Sequence, residues 1–184
     1  MALAFKFFFI LFSYSFAGLI YPDNYSTLST TYILFEWHQE PEATEYNLQV
    51  SDVESFDNIL LDIETSELLF IDKNTFDWNG SYYWRVRPIF DDMSVGNWIG
   101  TNIFDISIQK TILDNAIVET LNENMMEDGI IIYGDWPKKR TIAFDNNGKE
   151  IWNDGELKVW LVDHDRFGRL YGFSKPNDNN NQHW

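Results

Sequence analysis

The nine residues Gly80-Ser81-Tyr82-Tyr83-Trp84-Arg85-Val86-Arg87-Pro88 decide how the first half of this 184-residue chain is read. Tyr82, Trp84 and Val86 are large and apolar, and they alternate with Tyr83, Arg85 and Arg87, which tolerate water. A period of two sends successive side chains to opposite faces, so the stretch predicts a half-buried β-strand with an aromatic inner face and a cationic outer one. Asn79-Gly80 supplies the turn that enters it. The chain has a formal net charge of -16, so both arginines are expected to meet carboxylates.

Other strands must cover the inner face. Tyr32 to Trp37 reads as one, and Glu45 to Ser51 as another with Tyr46, Leu48 and Val50 on one side. Ile59 to Ile63 and Leu68 to Ile71 are shorter, and Trp98 with Phe104 to Ile106 forms the last. The stretch Asn24 to Thr31 reads as a polar lead. Short apolar runs about every ten residues, with polar turns between them and no helical period, predict an all-β sandwich of about seven strands over 21–108.

In order and spacing, Phe35-Glu36-Trp37, Tyr46 to Ser51, Tyr82 to Arg87, Trp98 and Phe104 resemble a fibronectin type III domain. The resemblance implies that Trp37 packs in the core and that Tyr82 makes a corner hydrogen bond. Pro88 departs from the pattern and is expected to end the strand early, because proline cannot donate to a ladder. Tyr83 and Trp98 are the aromatics expected at the surface, where stacking on a sugar is the alternative to a purely structural role.

Residues 109–127 read as a connection, and 128–184 as a second all-β region. Ile130 to Tyr133, Arg140 to Asp145, Lys149 to Trp152, Leu157 to Val162 and Arg169 to Phe173 are five short strands joined by Asn/Asp/Gly turns. Asn146-Asn147-Gly148 is a hairpin turn suited to positive φ. Asp128 to Gly134, Thr141 to Trp152 with its Asp145-Asn146-Asn147-Gly148 turn, and Phe167 to Phe173 together resemble the opening of an arylsulfotransferase-type β-propeller. The resemblance covers about 55 residues and implies a truncated ring: an incomplete propeller blade region, in an N-terminal fragment of a longer protein. It also implies a parent that moves sulfuryl groups between phenols, with aryl sulfates and phenols as its partners and a catalytic histidine on blades outside this sequence. The alternative is a non-catalytic secreted or cell-surface binding or adhesion protein built on fibronectin type III-like modules.

Composition narrows the classes further. The acidity repels phosphate backbones, so nucleic acid is not expected as a partner, and its plainest role is solubility. No cysteine is present, which excludes disulfides and thiolate chemistry. Lys6, the apolar run Phe7 to Phe12 and Ser15-Phe16-Ala17 predict a signal peptide over 1–17, cleaved after Ala17. The expected location is therefore secreted, periplasmic or on the cell surface, with no membrane contact after cleavage. His38, His164 and His183 match no catalytic motif of the family resembled. Asp145, Asn147 and Glu150 sketch a calcium loop too short to hold the ion, and the pairs Asp91-Asp92 and Asp163/Asp165 read as solvated turns. No catalytic, cofactor-binding or metal residue is assigned, and no cofactor is expected.

Overall fold

The computed structural model describes residues 18–109, 129–135, 140–155, 157–165 and 169–174. The expected signal peptide, nearly all of the connection, His183 and the polar run from Asn177 lie outside them. Among the described residues every regular element is a strand.

Two sheets make the sandwich. One has three strands, β1 (Leu19–Tyr21), β3 (Ile33–Trp37) and β6 (Leu69–Asp72), in the order β1-β3-β6. The other contains β2 (Ser26–Leu28), β4 (Ala43–Ser51), β5 (Ile59–Thr65), β7 (Ser81–Phe90) and β8 (Ile99–Ile106), in the order β2-β8-β7-β4-β5. The alternation read from sequence is observed: Ile33, Phe35 and Trp37 face Tyr46, Leu48, Val50, Tyr82, Trp84 and Val86 across one buried core. Phe35 lies at its centre, with ring centroids 5.3 Å from Trp84, 5.9 Å from Phe76 and 6.0 Å from Phe104. The tilted and edge-on geometry of these pairs is the one that aromatic quadrupoles favour. The indole N–H of Trp84 donates to the Pro22 carbonyl at 3.3 Å, so this ring leaves no stranded donor.

The expected corner bond is present. The Tyr82 hydroxyl accepts the Asp77 backbone N–H at 3.2 Å, five residues upstream. Gly80 permits this, because a Cβ there would run into the Tyr82 ring. Two expectations are corrected. Pro88 does not end its strand, since β7 runs on to Phe90. The Pro88 carbonyl accepts from Gly96 at 2.9 Å, on the side where β8 has already left the ladder, so the missing N–H faces no strand acceptor. The polar lead also holds a strand, β2, which lies parallel to β8, and β1, just ahead of the lead, pairs with β3.

The second region is an antiparallel meander of β9 (Ile131–Asp135), β10 (Arg140–Phe144) and β11 (Glu150–Asn153), followed by the hairpin β12 (Val159–His164) with β13 (Leu170–Ser174). The β10–β11 turn places its positive φ of 79° on Gly148. Thr141 joins the meander to the hairpin by donating to the Val159 carbonyl at 2.7 Å and accepting from Leu161 N–H at 3.0 Å. The meander also touches the sandwich. Thr31 N–H donates to the Ile151 carbonyl at 2.9 Å, Asn153 N–H to the Ser29 carbonyl at 3.0 Å, and the Trp78 indole N–H to the Glu150 carbonyl at 3.0 Å. Residues 29–31 thus lie alongside β11 like a further strand.

Candidate functional site

The outer face of the five-stranded sheet carries an ordered polar and aromatic cluster. Its frame is the register of β5, β4 and β7, which aligns Asp62 with Gln49 and Arg85, and Glu64 with Asn47 and Arg87. The loop before β8 brings Trp98 over this face, and the loop before β5 brings in Phe56, held at a φ of 57°. The Arg85 guanidinium carbon lies 3.8 Å from the Phe56 ring centroid and 4.0 Å from that of Trp98, and Arg87 lies 4.4 Å from Trp98. Strand residues two apart are separated by about 7 Å, so one indole this close to both arginines stands between them. The result is a ladder of four rungs, Phe56, Arg85, Trp98 and Arg87.

The partners of the arginines differ from the expectation. Arg85 donates to the Gln49 side-chain carbonyl, from Nη2 at 2.8 Å and from Nε at 3.2 Å, and Arg87 Nε donates to that of Asn47 at 3.0 Å. The amide nitrogens then donate to Asp62, Asn47 at 2.6 Å and Gln49 at 2.9 Å. Among the described residues each arginine therefore reaches a carboxylate only through an intervening amide. The register explains it, because β4 lies between the acid on β5 and the bases on β7. Burial and the neighbouring charge of Arg87 pull the Arg85 pKa below the ordinary guanidinium value, against an opposing pull from Asp62. Trp98 is half-buried, with the guanidinium groups of Arg85 and Arg87 both within 4.4 Å of its ring centre.

The other residues singled out from sequence do not converge. His38 is exposed in a sandwich loop, and His164 is the exposed last residue of β12. Asp145 accepts from the Asn147 and Lys149 backbones, both at 2.9 Å, whereas Glu150 is buried with Oε1 on the Asn153 amide, so these residues form a hairpin and not an ion cage. Asp92 accepts from Ser94, and these bonds lower its pKa. Asp165 accepts from Arg169 and Tyr171. Among the described residues no group of three or more His, Asp or Glu is placed to hold a metal ion, and no helix is long and apolar enough to cross a membrane.

Sequence reasoning put Arg85, Arg87, Tyr83 and Trp98 on the outer surface but missed the ladder. Phe56 and Trp98 sit in loops, where no periodicity reports which strand residue an aromatic will cover.

No protein-family model matches this chain, and no curated protein does either. Among solved structures it is similar to a Fn3-like protein from Clostridium thermocellum, at 15% identity and a TM-score of 0.39, over 51% of this chain and 93% of that one. It is also similar to fibronectin(III)-like modules of Clostridium thermocellum CbhA, at 8% identity and a TM-score of 0.37, over 51% and 99%. A third similarity is to an alpha-L-rhamnosidase from Dictyoglumus thermophilum, at 14% identity and a TM-score of 0.40, covering 70% of this chain and 16% of that one.

Proposed function

We propose that this chain is a non-catalytic binding module of a secreted or cell-surface protein, in which a fibronectin type III-like sandwich presents its outer face to a ligand. The observation that carries this reading is the ladder. Its cations are fixed by stacking and by amide bonds on a rigid sheet, and prior ordering of this kind lowers the entropy lost on binding. Asp72, Asp92, Asp145 and Asp165, which would otherwise be candidate acids or bases, accept hydrogen bonds within their own turns. The test is to incubate the purified chain with 4-nitrophenyl sulfate and a phenolic acceptor. No release of nitrophenol above a buffer blank is expected, and turnover would refute the reading.

A second reading keeps one observation in its favour. The meander β9-β10-β11, with the β12–β13 hairpin beside it, is the short antiparallel pattern expected at the opening of an arylsulfotransferase-type propeller. On that reading the parent transfers sulfuryl groups between phenols and this region is its accessory part. Its test is the coding sequence beyond Trp184: further blades bearing one histidine among Arg/Asn-rich strand ends support it, and further sandwiches or a wall anchor refute it.

A further inference from the structure

We infer that Asn79-Gly80, at the corner ahead of β7, is a self-modifying site: Asn79 deamidates to aspartate and isoaspartate with water as the only co-reactant. The chain contains two Asn-Gly pairs, Asn79-Gly80 and Asn147-Gly148. In such a pair the glycine backbone nitrogen attacks the side-chain carbonyl carbon of the asparagine. The bond from that carbon to the amide nitrogen breaks, and ammonia leaves with the proton of the glycine N–H. A cyclic imide remains. Water opens it at either carbonyl, giving aspartate or the isomer whose main chain is longer by a carbon. Glycine favours the attack, because no side chain shields its nitrogen and its backbone turns freely.

The fold imposes the first pair and leaves it open. Asn79 holds a φ of 62°, which asparagine tolerates better than most residues, and a Cβ at position 80 would run into the Tyr82 ring. Asn79 is exposed. Its N–H donates to the Ser107 carbonyl at 3.0 Å, and the Gly80 carbonyl accepts from the Ile106 N–H at 2.8 Å. Between these anchors, among the described residues, the Asn79 side-chain amide, the Asn79 carbonyl and the Gly80 N–H hold no hydrogen bond. The nucleophile and the group it attacks are both unengaged, and the peptide plane between them turns without breaking a bond. The second pair is held differently. Asn147 is exposed too, but the Gly148 N–H donates to the Asp145 carbonyl at 3.0 Å, and the Asp145 carboxylate takes the N–H groups of Asn147 and Lys149, both at 2.9 Å. Attack there must first release the Gly148 nitrogen, and one ordinary hydrogen bond corresponds to about a fivefold difference in rate. At Asn79 the isoaspartate product lengthens the main chain between the Ser107 and Ile106 anchors, where β7 takes its register. Either product adds a negative charge to a chain already at -16.

The experiment is to incubate the whole folded chain at mildly alkaline pH and follow both sites by peptide mass spectrometry, with a parallel sample unfolded in urea. In the folded chain Asn79 is expected to convert about fivefold faster than Asn147. In urea the two rates should converge, because only the shared Asn-Gly chemistry remains. Asn79→Gly accepts the same φ and should remove the early phase of ammonia release. Absence of conversion at Asn79, equal rates in the folded chain, a faster Asn147, or unchanged ammonia release from Asn79→Gly would each overturn the proposal. A difference between the sites that persists in urea would do so as well, since it would come from the flanking sequence and not from the fold.

Discussion

Replacing Tyr82 with phenylalanine isolates the corner hydrogen bond from everything else the residue does. Its ring packs edge-on against Phe76 at 4.9 Å and tilted against Phe104 at 5.6 Å, and the substitution leaves both contacts in place. What goes is the hydroxyl, which accepts the Asp77 N–H at 3.2 Å and faces the Asp77 carbonyl only at the limit of 3.5 Å. A buried hydrogen bond contributes about 1 kcal/mol net, and an orphaned buried donor raises the loss toward about 3 kcal/mol. The Asp77 side chain is 86% exposed, so water can reach that end of the turn, and the lower figure applies. With a urea slope of about 1–3 kcal/mol/M, the unfolding midpoint followed by tryptophan fluorescence should fall by about 0.3–1 M. An unchanged midpoint would refute the structural role of the corner. A loss of about 3–5 kcal/mol, the range for deleting a core aromatic, would show that the ring has moved and the hydroxyl was not isolated. Tyr46→Phe is the companion measurement: its hydroxyl accepts the Glu40 N–H at 2.7 Å from a residue only 1% exposed, so the loss should be at least as large.

Phe35→Ala removes the ring that touches Trp84, Phe76 and Phe104, and a loss of about 3–5 kcal/mol should blunt the near-ultraviolet circular dichroism of the core. Trp78→Phe deletes the indole bond to the Glu150 carbonyl, so hydrogen exchange at the Thr31 and Asn153 amides should quicken while Leu48 and Trp84 keep their protection. Uniform change, or none, would show that the meander is not fastened there. Burial raises the pKa of Tyr21 and Tyr46 above the usual phenol value of 10.0. The unfolded chain therefore releases these protons first as pH rises, so their contribution to stability is complete below pH 10 and declines above it. Tyr46→Phe should flatten the fall in the unfolding midpoint above about pH 10, and an identical slope in the variant would refute the assignment.

The core was legible because its information is local. Tyr82, Trp84 and Val86 on β7, and Tyr46, Leu48 and Val50 on β4, repeat every second residue, and burial on one face of a sheet leaves no other trace. The short strands β1 and β2 were not legible. Ser26-Thr27-Leu28 has no alternation to display, because it is a strand only by lying parallel to Phe104-Asp105-Ile106, about eighty residues away. The same holds for residues 29–31 beside β11. Pro88 misled for a related reason: the rule that proline stops a strand assumes a neighbour waiting for its N–H, and β8 had already ended there.

The site was only half legible, and the missing half concerns where the acids go. From sequence, an excess of carboxylates near two arginines promises ion pairs. In the fold, many of those acids serve the backbone instead. Asp72 accepts from Asn74 and Thr75, Asp92 from Ser94, Asp145 from Asn147 and Lys149, Asp154 from Val159, and Asp165 from Arg169. A short acidic side chain at a turn satisfies N–H groups that no ladder reaches, which an all-strand chain with many turns needs repeatedly. Much of the negative charge is therefore turn chemistry before it is surface potential. The acids are concentrated at strand ends, and the middle of the outer sheet is left to Asn47 and Gln49. Those two amides hold Asp62 on one side and a guanidinium on the other, so the acid and the bases of this face meet through them.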